Sequence, residues 1–154
     1  NRKGEDMKKI ILASLISLTL LLGLTGCTNK IDKLIGAEST VRIETDEILL
    51  KVKENTLTKK GATFVLENNR KEAINYDAAY KIEVKRDNVW YELNVINEFV
   101  DEIYEVDAKS TDQIIIDWEK SYLKLPKGQY RVIKEITVPS TLELFYVAGE
   151  FTIK

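Results

Sequence analysis

The feature that most constrains the fold is an alternation of apolar and polar residues from about residue 41 onward. It is clearest in YKIEVKRDNVWYELNV, residues 80–95, where Ile82 and Val84 alternate with charged side chains. Arg86-Asp87-Asn88 interrupts this pattern, and the alternation resumes at Val89. A period of two is typical of a strand with one buried face, and a short polar break between two such runs indicates a hairpin. The segment therefore predicts two antiparallel strands.

Comparable runs recur every 8 to 15 residues, separated by polar turns, and one helical turn is predicted near residues 119–123. This spacing predicts an all-β chain, most simply an antiparallel β-sandwich, as one domain over residues 41–154. A small β-barrel fits the same pattern. The other predicted strands lie in VRIETDEILLKVKE, ATFVLENN, DQIIIDWE, QYRVIKEITV and LELFYVAGEFTIK.

The composition excludes several common functions. The 154 residues contain no histidine and one cysteine, and the formal net charge is −2. Ser-His-Asp and Cys-His catalysis, a thiolate metal cage and an internal disulfide are therefore excluded, and a basic surface for nucleic acid is not expected. We expect no cofactor, no metal and no enzymatic activity.

The first 26 residues read as a secretory signal. After Met7, two lysines precede an uncharged apolar run from Ile10 to Leu24, which is short for a membrane span of about 20 residues. An uncleaved transmembrane anchor is the alternative. We expect translation to start at Met7, with residues 1–6 as upstream leader.

Leu24-Thr25-Gly26-Cys27 resembles the lipobox of bacterial lipoproteins. The resemblance implies cleavage before Cys27, a diacylglyceryl group on its thiol and attachment to the bilayer at the extracytoplasmic face of the cell membrane. Residues 27–40 would then be the lipidated cysteine and a polar tether. The alternative is a free cysteine without a role. Two acyl chains are needed because a single chain anchors a protein only marginally.

The stretch LKLPKGQYRV, residues 123–132, looks like the tyrosine corner of immunoglobulin-like domains. On this interpretation Tyr130 buries its ring and returns its hydroxyl to the main chain near Leu125. Leu125 closes the bottom of the core, and Gly128 adopts the backbone conformation that other residues avoid. These three roles are structural.

Several motifs together resemble a bacterial immunoglobulin-like domain found in small Gram-positive lipoproteins. They are Leu66-x-Asn68, the Trp90-Tyr91 hairpin, the Leu-Pro-x-Gly-x-Tyr-Arg corner with Lys134, and a last strand in Gly-Glu-Phe. The resemblance covers roughly residues 45–154. It implies a fold and a location but no established ligand or activity.

Aromatic residues are the best candidates for a binding surface. Trp90 and Trp118 are the candidate contacts, with Tyr91, Tyr122 and Tyr146 as further members of a platform, although packing is the simpler role for all five. Alternation assigns Tyr91 to the core face and Trp90 to the opposite face. Arg131 and Lys134 are expected to pair across strands with Glu150 or Glu143. The acidic stretch NEFVDEIYEVD, residues 97–107, is expected to be a solvated edge rather than a calcium site.

These observations favour a membrane-anchored, non-catalytic binding domain that contacts an envelope protein. A structural subunit of an envelope complex is the first alternative, and an exposed apolar sheet face would indicate it. A carbohydrate-active protein with two carboxylates across a cleft beside Trp90 or Trp118 is the second.

Overall fold

The alternating segments form β-strands, as expected. The computed structural model describes residues 30–154, so the predicted signal and Cys27 lie outside the described residues. Neither helix in the described range is long and apolar enough to cross a membrane. The elements are a 3₁₀ helix (Lys30–Leu34), β1 (Ile35–Glu38), β2 (Ile48–Val52), β3 (Gly61–Asn68), β4 (Ile74–Asp77), β5 (Lys81–Arg86), β6 (Val89–Leu93), β7 (Ile103–Val106), β8 (Thr111–Asp117), α1 (Glu119–Tyr122), β9 (Gly128–Val138) and β10 (Glu143–Ile153).

The strands form two antiparallel sheets that pack as an immunoglobulin-like β-sandwich. The small sheet has the order β2-β3-β8. In the large sheet, one edge of β9 pairs with β5 and then with β4, while its other edge pairs with β10 along its whole length. β6 and β1 extend this sheet beyond β5, and β7 extends it beyond β4. β4 and β5 pair with successive segments of the same edge of β9. Residues 78–80 connect these two strands and are here called the crossover.

The predicted hairpin is β5–β6. Asp87 and Asn88 both have positive φ, 49° and 65°, the combination that a two-residue type I′ turn requires. Ile82 and Val84 are fully buried between the sheets. The turn residues and the alternation thus specify the same register.

The core lies between the inner faces of the two sheets. Trp118 stacks on Phe151 with ring centroids 5.0 Å apart, and Tyr130 stacks on the same ring at 5.7 Å. Phe64 meets Phe151 edge-on at 6.1 Å. Gly149 allows this packing, because an added Cβ would lie 2.8 Å from the Phe64 ring. Aromatic packing of this kind holds the sheets together where antibody domains use a disulfide.

The N-terminal boundary of the domain differs from the prediction. A tether is predicted over residues 27–40, but Ile31 is buried at 2% exposure and β1 pairs with β6. Ile31, Leu34 and Ile35 are the apolar residues that this packing uses. Ile31 and the pair Leu34–Ile35 are two isolated apolar spots without a readable period, so the pattern leaves open whether they start a strand or lie loose.

Residues 39–47, here called the strap, connect β1 to β2 by passing over the outer face of the large sheet. Ser39 contacts Glu83 on β5 and Arg131 on β9, and Ile43 forms a bridge with Tyr146 on β10. Glu83 is consequently only 1% exposed, although it lies on a face that alternation assigns to solvent.

The corner has the expected residues in a partly different geometry. The Tyr130 hydroxyl donates to the carbonyl of Pro126 at 3.0 Å, and Leu125 is fully buried. Gly128 does not have positive φ; that conformation occurs at Leu123, with φ 73°. At position 128 an added Cβ would lie 3.1 Å from the Tyr130 ring, so a side chain there would press on that ring.

Candidate functional site

Trp118 belongs to the core and cannot be a surface contact. Its side chain is 0% exposed, and its Nε1–H donates to the carbonyl of Lys59 at 2.9 Å. The candidate platform therefore loses one of its two tryptophans. The reason is visible in the alternation itself, since Trp118 continues the inward series of Ile114 and Ile116.

Trp90 lies half-buried on the outer face of the large sheet, opposite to the core. The guanidinium carbon of Arg131 lies 4.6 Å from its ring centroid, and Lys85 Nζ lies 5.3 Å from it. Both cations are placed for cation–π attraction. These contacts give Trp90 a packing role, and its role as a contact remains a prediction.

Arg131 and Lys134 do not form the ion pairs expected of them. Arg131 lies opposite Glu150 on β10 and opposite Glu83 on β5, and its Nε–H donates to Glu83 at 2.5 Å. Lys134 lies opposite Val147 on the core face and is 1% exposed. For Arg131 the cross-strand rule holds with β5 rather than β10, and for Lys134 it fails because the residue faces the core.

A cavity of about 340 Å³ opens on the large sheet where residues 78–80 cross from β4 to β5. Ile133 on β9 and Tyr146 on β10 line it from the sheet, and Val95 and Phe99 line it from the loop after β6. Neither tryptophan lines it. The complete lining is Asp77, Ala79, Tyr80, Lys81, Glu92, Leu93, Asn94, Val95, Phe99, Tyr122, Ile133, Glu135 and Tyr146.

Three aromatic rings form one wall of the cavity. Tyr80 contacts Phe99 at a centroid distance of 4.7 Å and Tyr122 at 5.7 Å. The Tyr122 hydroxyl donates to the carbonyl of Tyr80 at 3.1 Å, which fixes the two rings relative to each other. Burial raises the pKa of Tyr80 to about 12, so its phenol is neutral at physiological pH.

Three carboxylates and one ammonium group line the same cavity. Glu92 is paired with Lys81 at 3.0 Å. Glu135 accepts a hydrogen bond from Tyr146 at 3.3 Å, across the β9–β10 pair. The buried Oδ1 of Asp77 accepts no hydrogen bond. Lys81 is matched by Glu92, and Asp77 lies 3.8 Å from the Lys134 ammonium, so Glu135 is the lining carboxylate without a basic partner among the described ion pairs.

Lys134 supports the crossover from beneath. Its Nζ donates to the main-chain carbonyls of Asp77 and Ala79 and lies 3.8 Å from Oδ1 of Asp77. Burial lowers the pKa of Lys134 to about 8, against the raising effect of Asp77. The lysine thus fixes two residues that line the cavity.

This lysine makes stability depend on pH in a definite direction. Its pKa is about 8 in the folded protein, below the ordinary lysine value of 10.5 that applies to the unfolded chain. Between these values the unfolded chain binds more protons, so the free energy of unfolding rises with pH. We expect a gain of about 1–2 kcal/mol between pH 7.5 and 9.5, measured by urea unfolding. Lys134→Met should abolish the rise.

Lys127→Met is the matched control, because Lys127 lies in the loop before β9, away from the crossover. It should keep the wild-type rise. The same rise in Lys134→Met as in the wild type would contradict the assignment to Lys134.

The acidic stretch borders a second depression beside the cavity. This depression is lined by Asp101 and Glu102 and shares Asp77 and Glu135 with the first. Within residues 30–154, no group of three or more acidic or thiol side chains is arranged to hold a metal ion. The stretch contributes two carboxylates, Asp101 and Glu102, to this depression.

The predicted aromatic platform and the cavity share two residues. Tyr122 and Tyr146 are members of the predicted aromatic platform and do line the cavity. Tyr80, Phe99 and Glu135 were missed as site residues. Their proximity depends on the crossover and on the loop after β6, for which the sequence carries no periodic signal.

The comparisons with known proteins agree with the fold. The family described as "Bacterial Ig-like domain" matches residues 38–152. Among curated proteins, none matches the chain. The family match extends further towards the N-terminus than residue 45, where the motif resemblance begins, and it includes the strap. The chain belongs to the bacterial immunoglobulin-like domain family.

Proposed function

We propose that this protein is a lipid-anchored, non-catalytic binding domain on the extracytoplasmic face of the cell membrane. In this proposal Cys27 carries the lipid, and residues 30–154 form the folded domain that presents the cavity. An envelope component is the binding partner. The family supports a surface or interaction domain; the anchor and the partner are the additional parts of the proposal.

The cavity is the observation that carries the binding function. Ligand sites are typically concave and mainly apolar, with a few polar groups that orient the ligand. The aromatic wall of Tyr80 and Phe99, together with Glu135 at the sheet, has this composition. The alternative of a carbohydrate-active protein required two acids beside a tryptophan, and neither tryptophan lines the cavity.

The structural-subunit alternative has weaker support. It predicts one exposed apolar sheet face. The most exposed apolar side chains of the described residues are instead divided among the β9–β10 turn, the outer face of the small sheet, and β7 with its preceding loop: Leu142, Ile115, Ile103 and Val100.

The anchor is tested by replacing the cysteine in the full-length chain. We expect wild-type protein to incorporate an alkyne-labelled palmitate in cells, and Cys27→Ala to lose the label completely, because no other thiol is present. The readout is the label itself, since an uncleaved apolar signal would keep either form at the membrane.

Thr28→Ala is the control and should retain the label, because it leaves the thiol and the preceding three residues unchanged. Label on Cys27→Ala, or unlabelled wild-type protein, would contradict the proposed anchor.

The binding function is tested by methyl NMR of the full-length lipidated chain in nanodiscs. The probe is the low-molecular-mass fraction of an envelope extract from the same bacterium. We expect shifts at Ala79, Val95 and Ile133, which line the cavity, and none at Ile115, which is 83% exposed on the small sheet. Shifts at Ile115 alone, or no shifts, would overturn the cavity as the binding site.

A further inference from the structure

We propose that the cavity binds a primary alkylammonium group, of the kind carried by a lysine side chain. The inference rests on the proposed binding function and adds the chemical class of the ligand. The ligand would place its alkyl chain against the aromatic wall and its ammonium group between Asp77 and Glu135.

The apolar part of the cavity suits an alkyl chain. Tyr80, Phe99 and Tyr122 form a continuous wall, and Ile133 and Leu93 add aliphatic surface. Burial of apolar surface drives an alkyl chain out of water and onto such a wall. The faces of these rings also attract a cation in the cavity, because the aromatic quadrupole is negative on the ring face.

The charges at the other end favour a cation. Glu135 receives only the neutral Tyr146 hydroxyl among the described contacts, and Asp77 lies 3.8 Å from Lys134 without a hydrogen bond through its buried Oδ1. The side chain of Asp77 is 45% exposed, so its exposed part can accept a hydrogen bond from a ligand. An ammonium group supplies three donors and one positive charge, which both carboxylates can use.

The second depression extends this negative field. Its lining contains Asp77, Asp101, Glu102 and Glu135 and no lysine or arginine. A concave surface with charge of one sign concentrates ions of the opposite sign. An anionic ligand would face four carboxylates here, only one of which, Asp77, lies near a lysine, so the depression favours cations.

The test uses a lysine analogue and its neutral counterpart. The full-length chain in nanodiscs is titrated with Nα-acetyl-lysine methylamide or with Nα-acetyl-norleucine methylamide, which lacks the amine. Shifts of the Ala79 and Ile133 methyl groups report binding. We expect the lysine analogue to bind at least tenfold more tightly, with an affinity that falls as salt is added.

Glu135→Gln should reduce the preference for the lysine analogue at least threefold. Its fold is checked from the unchanged methyl spectrum outside the cavity. Glu150→Gln is the matched control, because Glu150 is exposed on β10 and does not line the cavity. It should leave the preference unchanged.

Butylammonium distinguishes two sources of the same group. Equal affinity for butylammonium and the lysine analogue would indicate free amines, and tighter binding of the analogue would indicate lysine within a peptide; both support the inference. Equal binding of the lysine and norleucine analogues would overturn it and leave the binding function intact. Absence of cavity shifts with every probe would count against both.

Discussion

Trp118→Ala should lower the free energy of unfolding by about 4 kcal/mol, because a large core side chain is removed and a cavity remains. Trp118 is fully buried, stacks on Phe151 at 5.0 Å and donates to the carbonyl of Lys59 at 2.9 Å. The substitution removes both the packing and the donor. Urea unfolding of residues 28–154, followed by far-UV circular dichroism, measures the loss.

Trp90→Ala is the matched control, since it deletes the same side chain from the outer face of the large sheet. Trp90 is half-buried and its described contacts are mainly with Arg131 and Lys85. We expect a loss of about 1–2 kcal/mol, from partial burial and the cation–π contacts. Equal losses in the two variants would contradict the assignment of Trp118 to the core.

The alternation predicted the strands because successive side chains of a strand point to opposite faces, so each buried residue implies that its two sequence neighbours face away from the core. Ile82 and Val84 mark the inner face of β5, and Phe64 and Leu66 mark that of β3. The same logic includes Trp118, which follows Ile114 and Ile116 in register. The prediction of a surface contact gives weight to the chemical type of Trp118 over its position, and the position is the better guide.

Burial on the outer face could not be predicted in this way. Glu83 alternates correctly with Ile82 and Val84, so a period of two assigns it to solvent. It is buried because the strap crosses from β1 to β2 and brings Ser39 onto it. A long-range crossing of irregular chain has no period, and therefore the sequence pattern contains no record of it.

The cavity was unpredictable for a related reason. Tyr80 is the last residue of the crossover, Phe99 lies in the loop after β6, and Glu135 and Tyr146 come from two further strands. Only the pairing of both β4 and β5 with one edge of β9 brings them together. Tyr146 and Glu135 are cross-strand neighbours, but that register depends on the turn at residues 139–142.

Lys134 occupies a core position that its residue type would not predict. It lies in register between Val132 and Ile136, both fully buried, yet lysine is almost never assigned to a core. Its ammonium donates to the main-chain carbonyls of Asp77, at the end of β4, and of Ala79, in the crossover. The geometry of the cavity therefore depends on a lysine that its residue type alone would place on the surface.

Glu83→Ala should lower the free energy of unfolding by about 3–5 kcal/mol, the range for breaking a buried ion pair from one side. Arg131 Nε–H donates to Glu83 at 2.5 Å, and their side chains are only 9% and 1% exposed. Removal of the carboxylate leaves a guanidinium under the strap without its charge partner. The measurement is urea unfolding of residues 28–154.

Glu92→Ala is the control on the neighbouring strand. It breaks the Lys81–Glu92 pair, whose N–O distance is 3.0 Å but whose side chains are 49% and 40% exposed. Exposed pairs contribute about 0–1 kcal/mol, so the loss should be small. Similar losses in Glu83→Ala and Glu92→Ala would mean that the strap does not exclude water from Glu83.

The double variant Glu83→Leu, Arg131→Leu separates the cost of an unpaired charge from the value of the pair. Because desolvation offsets most of the attraction between buried charges, we expect it to unfold within about 1 kcal/mol of wild type. A loss as large as that of Glu83→Ala would show that the pair itself stabilises the fold. With the expected result, the pair instead acts through geometry: Glu83 accepts hydrogen bonds from Ser39 as well as from Arg131, so the charges fix where the strap crosses the sheet.

The strap also reaches Tyr146 through Ile43, and Tyr146 lines the cavity. The double variant should therefore retain stability while shifting the Tyr146 ring resonances, since leucine cannot hold Ser39 in place.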